Sequence, residues 1–380
     1  MPATARRNLV MKFTFWANIF SPHLVPVVRS LAALGHEVTM VAEQAVSPQR
    51  AAMGWRAPDL GDVRGVLAPD GRAVQELVTE DLAERVHIVA GVRFEPLGVT
   101  ALRAFAKHGA RWGIVSESAD PRGVTGALRR WKYGRERARI GGSLHFVLAM
   151  GTRGVDWFLR AGYDSDRLFE FAYAVDTPSS TRNVSRADCA ARVLYVGQMI
   201  QRKGVDTLLQ ACARLDDSFT LGLVGTGERE SALRKLSQDV GVDDRCDWLG
   251  AVPSAAVHQA MEAADVLVLP SYHDGWGAVV NEALMTGLPV ICSEQCGAAC
   301  LIQGALQGAA FPAGDVAGLS SALRAQLERA KDDPTARRDQ ISAWASCIAD
   351  DAIADYFERV MAHVYGTAER PAAPWRRRDR

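Results

Sequence analysis

The sequence lacks three features that would place the chain in other classes of protein. Its 380 residues include seven cysteines, an odd number without paired spacing, so we expect reduced thiols and a cytoplasmic setting rather than a disulfide framework. No run of about 20 apolar residues occurs, which argues against a membrane-spanning helix. The 44 basic and 44 acidic residues cancel, so nothing global indicates nucleic acid as a partner. We predict a soluble or peripheral protein.

Two familiar cofactor motifs are also missing. Cys292, Cys296 and Cys300 recur every four residues, but no CxxC pair or neighbouring histidine accompanies them, so we interpret them as core residues rather than zinc ligands. The turn Gly225-Thr226-Gly227 has Glu230 where a dinucleotide fingerprint has its third glycine. This departure disfavours an oxidoreductase, and we predict no cofactor.

What is present is an alternation of strands and helices, the pattern of a doubly wound α/β protein. A strand over Asn8–Trp16, a helix ending near Leu34 and a strand over Val38–Ala42 open the chain. After a stretch typical of a linker, Ala174–Ala191, a second series of elements starts at about Arg192. We predict two domains, a C-terminal helix, and a tail that is disordered because it has little apolar surface to bury. Their bounds are residues 1–175, 192–345, 346–366 and 367–380.

The most informative stretch runs from Ala264 to Ile302. It predicts a buried strand, a loop with the sequence Asp274-Gly275-Trp276-Gly277, and a helix from about Ala278 to Met285. Free N–H groups at the start of that helix favour an anion. Beside a diphosphate, Glu282 would flank a ribose and Asp274 would reach the far side, as in a nucleotide-sugar site. Alternatively, Asp274 caps the helix and Glu282 is an ordinary solvated residue.

Two adjacent cations, Arg202 and Lys203, lie in a loop that follows a predicted strand over Val193–Val196. At the carboxyl end of a strand they are placed to neutralise a diphosphate leaving group. The alternative, a pair of exposed cations at a helix start, is less attractive because positive charge there opposes the helix dipole. We therefore predict phosphate contacts for both.

The segment PSYHDGWGAVVNEALMTGLPVI resembles the E-x7-E signature of retaining glycosyltransferases of family four, with Asp274 in place of the first glutamate. The resemblance continues through VLYVGQMIQRKGVDTLLQACARL and FTLGLVGTGERESALRKL, and covers about Arg192 to Leu327. It implies the GT-B fold: α/β, with two Rossmann-like domains facing a cleft and a C-terminal helix crossing back to the first domain. The second domain would hold a nucleotide-diphosphate sugar and the first domain the acceptor.

The resemblance also implies roles for individual residues. The predicted catalytic residues are Asp274, Glu282, Arg202 and Lys203. The predicted donor-binding residues are Gly197, Gly225, Gly227, Gly275, Trp276, Gly277 and Ala278. In the first domain, Asn18, His23 and Glu117 follow predicted strands and are candidates for the acceptor side. Each of these three also suits an ordinary turn, helix-start or solvent-facing position.

The function implied is transfer of a sugar, of hexosyl type, to a saccharide or lipid-linked acceptor in polysaccharide, lipopolysaccharide or glycolipid assembly, with retained anomeric configuration. We expect no metal, because no pair of aspartates stands in the context expected of a metal-dependent transferase. Two alternatives remain open. One is a nucleotide-sugar epimerase or hydrolase of the same fold, since fold does not determine reaction. The other is a non-catalytic partner subunit that binds the nucleotide sugar.

The segment Arg122–Arg139 carries seven cations against one acid, with Trp131 and Tyr133 among them. Such a segment can rest on an anionic membrane surface or receive a phosphorylated acceptor. It can also be a solvated helix face whose arginine stems pack on the domain. The resemblance favours peripheral contact with the inner face of the cell membrane.

Overall fold

The computed structural model describes residues 10–52, 56–91, 96–176, 191–215, 218–330 and 333–376. Parts of three predicted segments lie outside the described residues. These parts are residues 8–9 of the predicted first strand, 177–190 of the predicted linker, and 377–380 of the predicted tail.

The first domain is built on a parallel sheet with the strand order β3-β2-β1-β4-β5-β6-β7. Its strands are β1 (Lys12–Ile19), β2 (Glu37–Gln44), β3 (Arg64–Leu67), β4 (Arg85–Ala90), β5 (Arg111–Ser116), β6 (Phe146–Met150) and β7 (Leu168–Phe171). Its helices are α1 (Val25–Ala33), α2 (Pro48–Ala52), α3 (Gly71–Thr79), α4 (Pro96–His108), α5 (Gly123–Ile140) and α6 (Gly151–Arg160). Five consecutive residues of β1 are buried, because helices cover the sheet on both faces.

Two elements of this domain, α2 and β3, were not predicted from the sequence. β3 pairs with β2 at the edge of the sheet and is largely exposed. A short edge strand that buries little apolar surface leaves no hydrophobic run for sequence analysis to find. The first strand also ends later than predicted, at Ile19, so Asn18 lies in β1 rather than in the following loop.

The second domain has a parallel sheet with the order β10-β9-β8-β11-β12-β13. Its strands are β8 (Ala191–Val196), β9 (Phe219–Val224), β10 (Cys246–Gly250), β11 (Val266–Leu269), β12 (Val290–Ser293) and β13 (Gly308–Phe311). Its helices are α7 (Val205–Cys212), α8 (Glu230–Asp239), α9 (Ser254–Ala263), α10 (Val279–Met285), α11 (Val316–Arg329) and α12 (Pro334–Ala345). Cys292 and Cys296 are fully buried in its core.

The last helix, α13 (Asp350–Tyr365), returns to the first domain, as the GT-B prediction requires. Its Phe357 ring packs edge-on against Phe13 of β1 at 5.1 Å. The Ser30 hydroxyl donates to the Asp350 carboxylate at 2.8 Å, and the Tyr356 hydroxyl donates to the Glu170 carbonyl at 2.9 Å. Aromatic packing and polar contacts together fasten α13 to the first domain.

The prediction of a disordered tail is wrong for residues 367–376. Ala373 and Trp375 are buried, and the Trp375 indole N–H donates to the Glu170 carboxylate at 3.2 Å. Arg376 pairs with the same carboxylate at 3.1 Å. The composition is polar and proline-rich, but the buried Trp375 and the Arg376 ion pair anchor the segment to the first domain.

Among the described residues, no helix is long and apolar enough to cross a membrane.

Candidate functional site

The predicted site residues come from loops at the carboxyl ends of strands in both sheets. The loop after β8 carries Arg202 and Lys203, the loop after β11 carries Asp274, and Glu117 directly follows β5. Ligands of doubly wound sheets bind at this edge. The fold therefore brings residues that are far apart in sequence to one cleft between the domains.

Two glycine turns line the second-domain side. Gly225 has φ +126°, and a methyl group there would come within 1.9 Å of the Gly197 carbonyl oxygen. A methyl group on Gly227 would come within 2.4 Å of the Met199 carbonyl oxygen. The two loops thus meet backbone to backbone, which only residues without a Cβ allow.

Asp274 is the centre of an ion-pair cluster with the two predicted phosphate-binding cations. Lys203 Nζ lies 2.5 Å from Asp274 Oδ2, and an Arg202 guanidinium nitrogen lies 3.6 Å from Oδ1. The Arg202 guanidinium also donates to the His273 carbonyl at 3.0 Å. Burial alone would raise the pKa of Asp274, but the Lys203 and Arg202 charges lower it below its usual value. Asp274 is therefore an ionised, buried carboxylate.

Glu282 lies in α10, which begins at Val279, one residue later than predicted. The structure buries much of this carboxyl, and burial raises its pKa to about 7. A solvated helix residue would keep an ordinary pKa, so the alternative interpretation from sequence does not fit Glu282. Near neutral pH this carboxyl can gain or lose a proton when a ligand arrives.

The Trp276 indole is not exposed to the cleft, although the residue was predicted to bind the donor. Its N–H donates to the Asn281 side-chain oxygen at 2.8 Å, and the Asn281 amide donates to the Tyr173 carbonyl at 3.0 Å. Only the backbone of Trp276, with that of Gly277 and Ala278, remains for ligand contacts. The indole instead connects the two domains.

Glu117 reaches across the cleft from the first domain. A methyl group on Gly275 would lie 1.9 Å from Glu117 Oε2, so the carboxyl rests on the Gly275 backbone. The Tyr173 hydroxyl donates a hydrogen bond to it. Burial and the nearby Asp274 charge raise the pKa of Glu117. The structure thus places this residue of the first domain against the loop after β11.

The other two acceptor-side candidates differ from each other. The His23 ring lies 6.0 Å from the Tyr173 ring, and burial, helped by the Arg50 charge, lowers the pKa of His23 to about 4. Asn18 is exposed on β1. The structure thus brings His23, but not Asn18, to the group around Tyr173.

Several contacts in the cleft were missed by sequence reasoning. Arg50 belongs to the unpredicted α2 and interacts with Glu117 and Tyr173. Arg153 donates to the Gln295 side chain at 2.5 Å, and the Arg122 guanidinium lies 6.0 Å from the Tyr272 ring, both across the cleft. Their position after strands was the one feature of the sequence that could have indicated a place in the cleft.

Among the described residues, one group of three side chains could hold a metal ion: Glu37, Glu80 and Asp81. These carboxylates are exposed and lie beside the first residues of β2 and β4. They pair with Lys12 and with the buried Arg85. This group is at the opposite edge of the sheet from the cleft.

Comparisons with known proteins agree with this geometry. Residues 181–343 match the family model of glycosyl transferases group 1. The lipopolysaccharide core biosynthesis glycosyltransferase LpsE of Rhizobium meliloti is 33% identical over 131 residues, which are 34% of this chain and 38% of LpsE. The chain thus spans about two fifths of the length of that relative.

Two solved structures match nearly the whole chain. The lipopolysaccharide outer core galactosyltransferase WaaB superposes with a TM-score of 0.70 at 18% identity, over 93% of this chain and 99% of WaaB. HepE from Anabaena, solved in complex with UDP, gives a TM-score of 0.70 at 16% identity, over 93% of this chain and 100% of HepE. The predicted GT-B fold is confirmed, and within it residues 181–343 match the model of the glycosyl transferases group 1 family.

Proposed function

We propose that this protein is a retaining glycosyltransferase that moves a hexosyl group from a nucleotide-diphosphate sugar to a saccharide or lipid-linked acceptor. The observation that carries the proposal is the convergence of Arg202, Lys203, Asp274 and Glu282 at one glycine-lined cleft. The match to the group 1 glycosyl transferase model and the names of LpsE and WaaB support transfer in polysaccharide, lipopolysaccharide or glycolipid assembly.

The proposed chemistry begins with an exchange of partners. In the ligand-free protein Asp274 neutralises Lys203 and Arg202. A diphosphate carries more charge than one carboxylate, so it competes for both cations and leaves Asp274 to accept a hydrogen bond from the donor sugar. The cations then stabilise the negative charge that develops as the sugar–phosphate bond breaks.

Retention follows from the family resemblance, which implies attack on the face that the leaving diphosphate occupies. The departing phosphate would take the proton of the acceptor hydroxyl. Glu117 and His23, on the first domain, would lie near that acceptor.

The test is a screen of UDP-, GDP-, ADP- and TDP-sugars for thermal stabilisation, because a ligand that binds only the folded state raises the melting temperature. The stabilising donor is then assayed for transfer, hydrolysis and epimerisation in parallel. Transfer supports the proposal. Epimerisation or hydrolysis alone favours the same-fold alternative, and binding without turnover favours a non-catalytic partner subunit.

Glu282→Gln tests the ribose role. We expect UDP to bind roughly 10- to 100-fold more weakly, because a hydrogen bond to a charged group contributes about 1.5–3 kcal/mol. Inorganic pyrophosphate, which has no ribose, should bind as before. Since a ribose hydroxyl favours the ionised carboxylate, UDP affinity should rise as the pH increases through about 7 in the parent only. If calorimetry finds that Glu282→Gln loses as much affinity for pyrophosphate as for UDP, Glu282 does not contact the ribose.

Activity should persist in excess EDTA, because the diphosphate is held by Arg202 and Lys203. The measurement is the transfer rate before and after chelation, followed by addition of Mg²⁺ or Mn²⁺. An EDTA-treated enzyme that is inactive and recovers with either ion would indicate a metal-assisted mechanism instead.

The geometry of α5 supports the proposed membrane contact. Val124, Leu128 and Trp131 are 87%, 49% and 58% exposed, and their spacing places them on one outward ridge. Tyr133 on the opposite side is buried. Three cations lie on the same side of the helix as this ridge: Lys132, Arg135 and Arg139. Apolar side chains between cations are typical of a helix lying on an anionic bilayer.

We expect the protein to sediment with anionic vesicles and to be released by high salt. Each cation near an anionic surface contributes about 1 kcal/mol. A variant with Trp131→Ala, Lys132→Gln, Arg135→Gln and Arg139→Gln should therefore lose most of this binding while it still binds nucleotide.

The matched control changes three exposed arginines elsewhere to glutamine: Arg72, Arg234 and Arg329. It should sediment like the parent. If the parent does not bind vesicles, or if control and test variants lose binding equally, α5 is only a solvated face.

A further inference from the structure

Glu117 belongs to the first domain, but its carboxyl packs against the backbone of the second domain at Gly275. Its carboxyl carbon lies 2.8 Å and its Oε2 1.9 Å from where a Gly275 methyl group would be. Gly275 directly follows Asp274 in the loop after β11. A side chain of the first domain therefore occupies space beside the donor loop, next to a second carboxylate.

Charged and titratable groups from both domains face these two carboxyls. Around Glu117 they are Asp274, Arg202, Lys203, Tyr173 and Arg50. Around Asp274 they are Lys203, Arg202, His273, Tyr195 and Cys292. The contacts at 2.5 Å and 3.6 Å show that Lys203 and Arg202 neutralise Asp274 in the ligand-free protein. Two carboxyls can thus lie together while these cations remain there.

That balance changes when a diphosphate binds. The ligand engages Lys203 and Arg202 and adds negative charge of its own. Two carboxylates that share a site without counter-charges cannot both stay ionised. Lys203 and Arg202 contact Asp274 directly in the ligand-free protein and stay beside it when they are shared with the ligand, so Glu117 is the member that gains a proton. The present direction of its pKa, raised by burial and by Asp274, agrees with this assignment.

We propose that Glu117 is a positioning residue of the donor site, which forms a carboxyl pair with Asp274 across the closed cleft and takes up one proton when a diphosphate engages Arg202 and Lys203. The inference rests on the proposed role of those two cations. A neutral Glu117 can donate a hydrogen bond to Asp274 or to a donor hydroxyl, whereas an ionised one would repel Asp274. Proton uptake therefore couples donor binding to the contact between the domains.

The experiment is calorimetry of inorganic pyrophosphate binding, from about pH 6 to pH 9, in pairs of buffers with different ionisation enthalpies. Pyrophosphate excludes any proton exchange that a ribose causes at Glu282. The parent should take up as much as about one proton more than Glu117→Gln, and its affinity should fall up to about tenfold per pH unit relative to that variant. Glutamine keeps the size of the side chain, so a purely structural role would not produce this difference.

Glu76→Gln, a surface change on α3, is the matched control and should behave like the parent. Equal proton uptake by the parent and Glu117→Gln overturns the inference, as does a difference that His273→Gln abolishes. If neither pyrophosphate nor nucleoside diphosphates bind at all, the proposed function itself fails. If they bind without the proton difference, only the pairing of Glu117 with Asp274 fails.

Discussion

Arg202→Ala and Lys203→Ala should each lower turnover by about 10²- to 10³-fold, the usual effect of removing one group that stabilises developing charge. The two variants should differ in stability. Lys203 is the closer partner of Asp274, so its removal leaves a buried carboxylate with only Arg202 at 3.6 Å. Arg202 is more exposed, and its removal leaves the 2.5 Å pair intact. We therefore expect Lys203→Ala to melt earlier than Arg202→Ala.

A double variant separates the two effects of Lys203. Lys203→Ala with Asp274→Asn carries no unpaired carboxylate, so it should regain thermal stability but not turnover. Arg234→Ala, a surface change on α8 of the same domain, is the control for loss of an arginine. Single-turnover rates on the donor found by screening provide the measurement. Near-parental rates for both single variants would refute the phosphate assignment.

Sequence analysis predicted the fold well where strands are buried on both faces. β1, β5 and β11 stand out because nearly all of their residues are buried and most of them are apolar. β3 and β7, at the two edges of the first sheet, were not predicted. Both are only four residues long. β3 is largely exposed, and in β7 Glu170 interrupts three buried apolar residues, so neither strand contains a long apolar run.

The candidate site was predictable in its second-domain half, because glycines, cations and carboxylates lie there in short, ordered motifs. Contacts across the cleft were not predictable. Glu117 and Gly275 are far apart in sequence, and nothing in either local pattern indicates that the two meet. Trp276 was predicted to face the ligand, but its indole is satisfied by Asn281 in the interior. Local pattern places a residue on an element; only packing of the two domains determines its partner.

The tail is the clearest error, and its cause is physical. Average composition predicts disorder when a segment cannot bury enough apolar surface. It does not register that Trp375 alone buries a large aromatic surface against Tyr356, with ring centres 6.3 Å apart. Arg370 adds to this by lying 4.5 Å above the Phe169 ring. The contacts of Trp375 and Arg370 thus order a segment whose average composition predicts disorder.

Trp375→Ala should be strongly destabilising for the same reason. Replacing a buried tryptophan by alanine costs about 3–5 kcal/mol through lost burial and the cavity that remains. The change also leaves the Glu170 carboxylate without the indole donor, although Arg376 still pairs with it. For a domain of this size we expect its melting temperature to fall by roughly 6–20 °C.

Trp131→Ala is the matched control, because it removes the same side chain from a position that is 58% exposed, where Trp375 is 2% exposed. We expect it to change the melting temperature by less than about 2 °C, since surface substitutions lie within about 0.5 kcal/mol. The melting temperature of Trp375→Phe should lie between those of Trp375→Ala and Trp131→Ala, because phenylalanine keeps most of the apolar surface but lacks the indole N–H. Scanning calorimetry of all three variants with and without UDP resolves the two domains. If Trp375→Ala and Trp131→Ala have the same melting temperature, the tail does not stabilise the first domain. Its packing on α13 then contributes nothing measurable.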